Sequence, residues 1–381
     1  MKIFIAIDSF KGSLSSMQAG GAAAEGFKRV FPDAEILVSP VADGGEGTTE
    51  ALCEGMGGRW ESVKVSDPLG REIISRYAIL DKSKTAIIEM SAAAGITLIS
   101  DEERNPLNTT TYGVGQMILD ATGKGCRNFL IGIGGSATND GGVGMLGALG
   151  FKFCDSEGKD IPFGAKGLEK LSAIDCENVL PCLSECTFNI ACDVTNPLCG
   201  EMGCSAIYGP QKGADEQMIK DMDGWLLNYA SLTKDINPSA DENAKGAGAA
   251  GGMGFAFMSF LNGELKNGIE LVLKETKAEE KMKDSDLVIT GEGRLDGQSA
   301  MGKAPCGISK IAKKYNIPVI AFSGAVTKDA KECNKNGIDA FFPILRSVCT
   351  LDEAMNVENA KENMMDTAEQ AARLIKTFKE R

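Results

Sequence analysis

Short apolar runs that stop at polar, glycine-rich loops and alternate with helical stretches constrain this chain more than any other feature. MKIFIAID at 1–8 reads as a buried parallel strand ending in an acid, and residues 15–30 follow as a helix with serine near its start. EILVS at 35–39 is a second strand, which gives way to PVADGGEG at 40–47 and then a helical stretch at 48–56. Strand, loop and helix in turn are the signature of a doubly wound layer. The pattern changes at 59–90, where runs at 60–65, 73–79 and 85–90 are separated only by turns such as DPLG, so an antiparallel or mixed sheet is expected. Further strands are expected at 128–133 and 188–193. Parallel character resumes at DLVIT, 286–290, and continues to an amphipathic helix at 359–379. These residues predict an α/β fold of two α/β domains. One is a discontinuous Rossmann-like parallel-sheet domain, residues 1–60 plus 285–381, and the other an inserted mixed-sheet domain, 61–284.

Composition narrows the function classes. A chain of 381 residues with 43% hydrophobic and 24% charged content matches a globular enzyme, and no apolar run approaches a membrane span. The N-terminal strand lacks the longer apolar core of a signal peptide, so a cytoplasmic location is expected. A net charge of −13 argues against a nucleic-acid partner, which would require a basic stripe. The chain has no histidine, which removes Ser-His-Asp and Cys-His nucleophile systems and leaves proton transfer to carboxylates or lysine. The twelve cysteines show no paired metal spacing and are expected to be reduced.

Glycine is abundant, 46 residues, or about 12% against an average near 7%. Three clusters share a Gly-Gly-x-Gly core, at 44–47, 141–144 and 251–254, and Asp43 and Asp140 immediately precede the first two. A single such cluster is commonly a tight turn, but consecutive amides can also cradle an anion. GIGGSATNDGG, 132–142, follows a strand, and Gly132-x-Gly134-x-x-Ala137 with Asp155 fits a dinucleotide fingerprint, so an NAD-dependent oxidoreductase is one alternative. That reading leaves Ser136, Thr138, Asn139 and Asp140 idle, although they suit phosphate oxygens. No Walker loop is present. TGEGRLDGQS, 290–299, sets Glu292, Arg294 and Asp296 at alternate positions after an apolar strand with Lys303 nearby, a pattern that suggests a phosphate and metal site. Lys11, in the loop DSFKGSLS at 8–15, adds a cation. A non-catalytic ligand-binding protein is the third reading.

Together these motifs resemble those of the type I glycerate kinase family. The resemblance is carried by DSFKGSLS (8–15), ADGGEGT (42–48), GIGGSATNDGG (132–142), CDVTNPLCG (192–200), GAAGGMGF (248–255) and TGEGRLDGQS (290–299). It implies ATP-dependent phosphorylation of D-glycerate to the 2- or 3-phosphate with Mg²⁺, and an active site in a cleft between the two domains. Within that frame Lys11 and Arg294 are expected at the phosphoryl group or the glycerate carboxylate. Ser9, Gly134, Gly135, Ser136, Thr138, Asn139 and Asp140 are expected to hold the nucleotide. Asp193 and Asp296 are the leading candidates for base and metal ligand, with Asp43 and Glu292 as further metal ligands. Glycerate and ATP are the expected partners, and a monomer or a homodimer would be compatible.

Overall fold

The computed structural model describes residues 1–379, the side chain of Met301 apart. The chain opens with β1 (Lys2–Ile7), the helix Ser16–Lys28 and β2 (Glu35–Val38), followed by the helix Thr48–Met56. Next come β3 (Arg59–Ser66), β4 (Glu72–Leu80) and β5 (Thr85–Glu89), the helix Tyr112–Gly123 and β6 (Asn128–Gly132). A small hairpin-like pair, β7 (Lys152–Cys154) and β8 (Ala173–Asp175), precedes β9 (Thr187–Ala191) and the long helix Glu216–Ile236. After β10 (Glu264–Lys266) the chain runs through helices to β11 (Leu287–Leu295), β12 (Val319–Val326) and β13 (Ala340–Pro343), and on to the helix Val357–Lys379.

These elements form two compact units. The first comprises residues 1–43, 50–57 and the chain from Ile269 onward. Its sheet is wholly parallel, in the order β13-β12-β11-β1-β2. Every residue of β1 after Lys2 is buried, as a strand covered on both faces requires. Side chains alternate across a strand, so Ile3, Ile5 and Ile7 feed one core while Phe4 and Ala6 feed the other. The return to this unit comes earlier than residue 285. Ile269, Leu273, Ala278 and Met282, on two helices before β11, pack in the same core as Phe4 and Val288.

The alanine- and glycine-rich helix Ser16–Lys28 begins at a capping box, in which Ser15 and Gln18 each satisfy the other's backbone amide. Its small residues permit close packing against Val357–Lys379. A Cβ on Gly26 would lie only 2.2 Å from the Met365 carbonyl oxygen.

The second unit comprises residues 44–49 and 58–268. Its six-stranded sheet is mixed, in the order β10-β9-β6-β5-β4-β3. β3, β4 and β5 pair antiparallel, while β5, β6, β9 and β10 are parallel. Its single core runs from Val65 to Leu261 and includes stacked Phe129 and Phe188. Among the described residues no helix is long and apolar enough to cross a membrane.

Candidate functional site

In the first unit the strand order reverses between β1 and β11, since β2 lies beyond one and β12 and β13 beyond the other. Such a switch point leaves a crevice at the carboxyl ends of the strands, the usual ligand position in open α/β sheets. A cavity of about 380 Å³ lies here, lined by Asp8, Lys11, Asp43, Glu292, Arg294, Asp296 and Lys303 among others, Ser9 included. The polar run after Thr290 is not a loop. β11 continues to Leu295, with Glu292 opposite Ser323 and Arg294 opposite Ala325. Glu292 and Arg294, two apart on a strand, therefore share a face, and the chain turns at Asp296 beyond them.

The carboxylates of this cavity are unequal. Asp8 is buried, and burial first, then the Asp43 and Glu292 carboxylates, push its carboxyl up to about 7, against a hydrogen bond from the Ser9 amide and the charge of Lys11. Glu292 is also raised, chiefly by burial, and its Oε1 is buried with no hydrogen-bond partner. Asp296 is tied down: its Oδ1 accepts from the amides of Gln298 (2.9 Å) and Ser299 (3.1 Å), while Arg294 Nε lies 3.6 Å from its Oδ2. Arg294 itself is largely exposed.

Repelling carboxylates, one with an orphaned buried oxygen, fit a hard divalent cation, which would relieve both. Among the described residues no three such groups converge at ligating distance. The fit is to an ion that keeps several waters, as Mg²⁺ prefers. Lys303, noted beside the polar run in the sequence, joins this lining, whereas Asp8 was missing from the sequence-derived site. Asp8 had a signal, since it is the acid closing the first apolar run.

In the second unit, loops gather at the carboxyl ends of β5, β6 and β9. Glu89 Oε1 accepts from the Thr49 amide at 2.8 Å, and burial raises its carboxyl. Asp193 follows β9, is exposed, and accepts through Oδ1 from Asn267 Nδ2 at 2.7 Å and the Gly268 amide at 3.1 Å. Asp193 and Asp296 therefore belong to different units, and Asp193 also braces the end of this one.

The loop after β6 divides in two. Gly134 and Gly135 are exposed, with Ser136 at the margin. Thr138, Asn139 and Asp140, expected to hold nucleotide phosphates, are wholly buried. Asp140 accepts from the amide and hydroxyl of Thr111, both at 2.9 Å, and from the Gly142 and Gly144 amides. Asn139 donates to Ser205 Oγ at 2.8 Å, and the buried Lys212 donates to the Thr138 carbonyl at 2.6 Å. Burial drives that ammonium down to about 8, against the pull of Cys204 and Asp140. These polar side chains hold the loop from behind.

Two of the three glycine clusters pack on each other. A Cβ on Gly251 would sit 2.1 Å from the Thr138 carbonyl oxygen, and one on Gly252 would sit 2.7 Å from Gly141 Cα. The dinucleotide reading also fails geometrically. The helix after β6 starts only at Val143 and spans six residues, so the fingerprint glycines do not open it. Asp155 closes a turn by accepting from the Glu157 and Lys159 amides.

Known proteins resemble the chain along its length. Residues 3–376 match the model of the glycerate kinase family. The chain is 48% identical over 372 residues to a glycerate 2-kinase of Escherichia coli K12, covering 96% of this chain and 98% of that one. It is 43% identical over 379 residues to a glycerate kinase of Bacillus subtilis 168, covering 100% and 99%. A solved structure from Salmonella typhimurium LT2, described as a glycerate kinase 2, superposes with a TM-score of 0.93 at 44% identity over the full length of both chains. Matched from end to end in both sequence and fold, the chain belongs to the glycerate kinase family of phosphotransferases.

Proposed function

We propose that the protein transfers the γ-phosphoryl group of ATP to a hydroxyl of D-glycerate, with Mg²⁺ as cofactor. The observation that carries this reading is the meeting of Lys11, Arg294 and Lys303 with Asp8, Asp43, Glu292 and Asp296 around one cavity at the switch point. Phosphoryl transfer needs chiefly positioning and charge stabilisation, and this set supplies both signs at close quarters.

In this reading Asp8, Asp43 and Glu292 hold the cation. When bound, Mg²⁺ offsets charge on the nucleotide phosphates. Lys11, Arg294 and Lys303 face the phosphoryl oxygens, where negative charge spreads in the transition state. The glycerate hydroxyl oxygen forms the new P–O bond as the bond between the γ-phosphorus and the β–γ bridging oxygen breaks. Asp296 receives the hydroxyl proton, since its Oδ2 is its less committed oxygen, and ADP departs. Gly134, Gly135 and Ser136 remain candidates for holding an anionic oxygen through backbone amides. The 2-hydroxyl is favoured as acceptor by the name of the E. coli relative, so 2-phosphoglycerate is the expected product, and phosphorus NMR of the product reads this directly.

Asp296→Asn is expected to lower kcat at least about 100-fold, the scale of a lost acid–base group. Asp193→Asn tests the other candidate for base or metal ligand: a loss on that scale without unfolding, with Asp296→Asn near normal, would move the base role to Asp193. A coupled ADP-release assay with glycerate as sole acceptor, paired with circular dichroism, measures both. Near-normal turnover in both variants defeats the assignment.

A further inference from the structure

Part of the first unit's cavity has no counterpart in glycerate. Beside its charges stands a wall of Phe10, Ile344, Leu345, Leu351, Ala354 and Met355. Every carbon of glycerate bears oxygen, so the acid has no apolar face for six such side chains to cover. A cavity of about 380 Å³ is also in the size class of larger organic ligands rather than of a three-carbon acid.

The wall is built, and it is not a frayed segment. Thr350 and Glu353 form a capping box that starts the helix Leu351–Met355, and Asn359 Nδ2 donates to the Glu353 carbonyl at 3.0 Å. Arg346 pairs with Asp366 on the helix behind. On the opposite side Gly12 has φ +77°, and a Cβ there would lie 2.8 Å from Met355 Cε, so the lysine-bearing loop and the wall are fitted to one another. Leu351 nevertheless stays 75% exposed and Leu345 36%.

We propose that this wall receives the purine base of the nucleotide. The assignment rests on the phosphotransferase reading above and specifies which unit holds the nucleotide. The flat faces of a purine are the apolar surface that glycerate lacks, and the ribose and phosphates would extend from the wall toward Lys11, Arg294 and Lys303. The carboxyl ends of β12 and β13, beside the switch point, supply Ala325 and Ile344 at the edge of this subsite.

The test compares ligands with and without a base. Isothermal titration of the full chain in Mg²⁺ measures Kd for ADP and for pyrophosphate, and repeats both for Leu345→Ser/Leu351→Ser and for Leu351→Met. Wild type and Leu351→Met are expected to bind ADP at least about tenfold tighter than pyrophosphate, as a base buried against an apolar wall should. The double serine variant is expected to lose most of that preference while its pyrophosphate affinity moves less than about twofold. An undiminished ADP preference, or equal weakening of both ligands, overturns the proposal. So does a rise in KM for glycerate without one for ATP. Absence of glycerate phosphorylation by wild type would count against the proposed reaction, yet the ADP-to-pyrophosphate ratio would still report whether a base sits on the wall.

Discussion

Asp8 shows how one residue can couple stability to function. Its carboxyl stands at about 7 in the fold against an ordinary 3.8, so between those values the folded state keeps a proton that the unfolded chain has lost. Stability on its account is full below about pH 4 and falls as pH rises through 7. The cost at pH 8 is on the order of 4 kcal/mol. Asp8→Asn is therefore expected to raise Tm at pH 8 by several degrees and to leave it little changed at pH 4, while kcat falls at least about 100-fold. Added Mg²⁺ should stabilise wild type more than this variant. A Tm at pH 8 no higher than wild type would show that neither burial nor the neighbouring carboxylates penalise the charged form of Asp8. The acid at position 8 was visible in the sequence, but its raised proton affinity was not, because its burial, and then the approach of Asp43 and Glu292, arise only through the fold. Asp140 presents the converse case. Its setting beside glycines suggested a ligand contact, yet its four hydrogen bonds all go to the protein itself.

At the scale of elements, β11 carries the site because it is longer than its apolar run. Leu287 to Ile289 are buried apolar residues, while Thr290 to Leu295 are polar or glycine for the most part and still pair with β12. Periodicity alone ends such a strand early, since a polar strand segment surrounding a ligand cavity has no apolar alternation to report. Glycines in the helix Ser16–Lys28 pose the opposite problem, because two that look alike do different things. A Cβ on Gly21 meets nothing within 4 Å, whereas on Gly26 it strikes the Met365 carbonyl at 2.2 Å. Gly21→Ala should gain up to about 1 kcal/mol from helix propensity. For Gly26→Ala the same gain is outweighed by an overpacking cost of about 1–3 kcal/mol, since the struck atom is backbone and yields little. Urea unfolding of both variants checks this, and equal effects would mean that the two helices do not pack closely.

For the whole molecule, the first unit is assembled from both parts of a divided chain. β1 lies between β2 and β11, so strands paired in its sheet come from distant parts of the chain, as in the pairing of Ile3 with Leu287, 284 positions apart. A chain ended at Gly268 keeps all six strands of the second unit's sheet but only β1 and β2 of the first. A two-stranded remnant does not hold a core, so limited proteolysis is expected to remove its first 40 or so residues while the segment 58–268 persists, and ADP binding is expected to be lost. Retained ADP binding would place the nucleotide elsewhere. The sequence by itself determined the alternation of strands and helices, the mixed character of the middle segment, and the motifs that carry the family, because each is written in local periodicity and turn chemistry. Only the tertiary structure decided which polar residues face a cavity and which are sealed behind a loop. Burial depends on what distant strands and glycines bring against a side chain, and no local pattern encodes that.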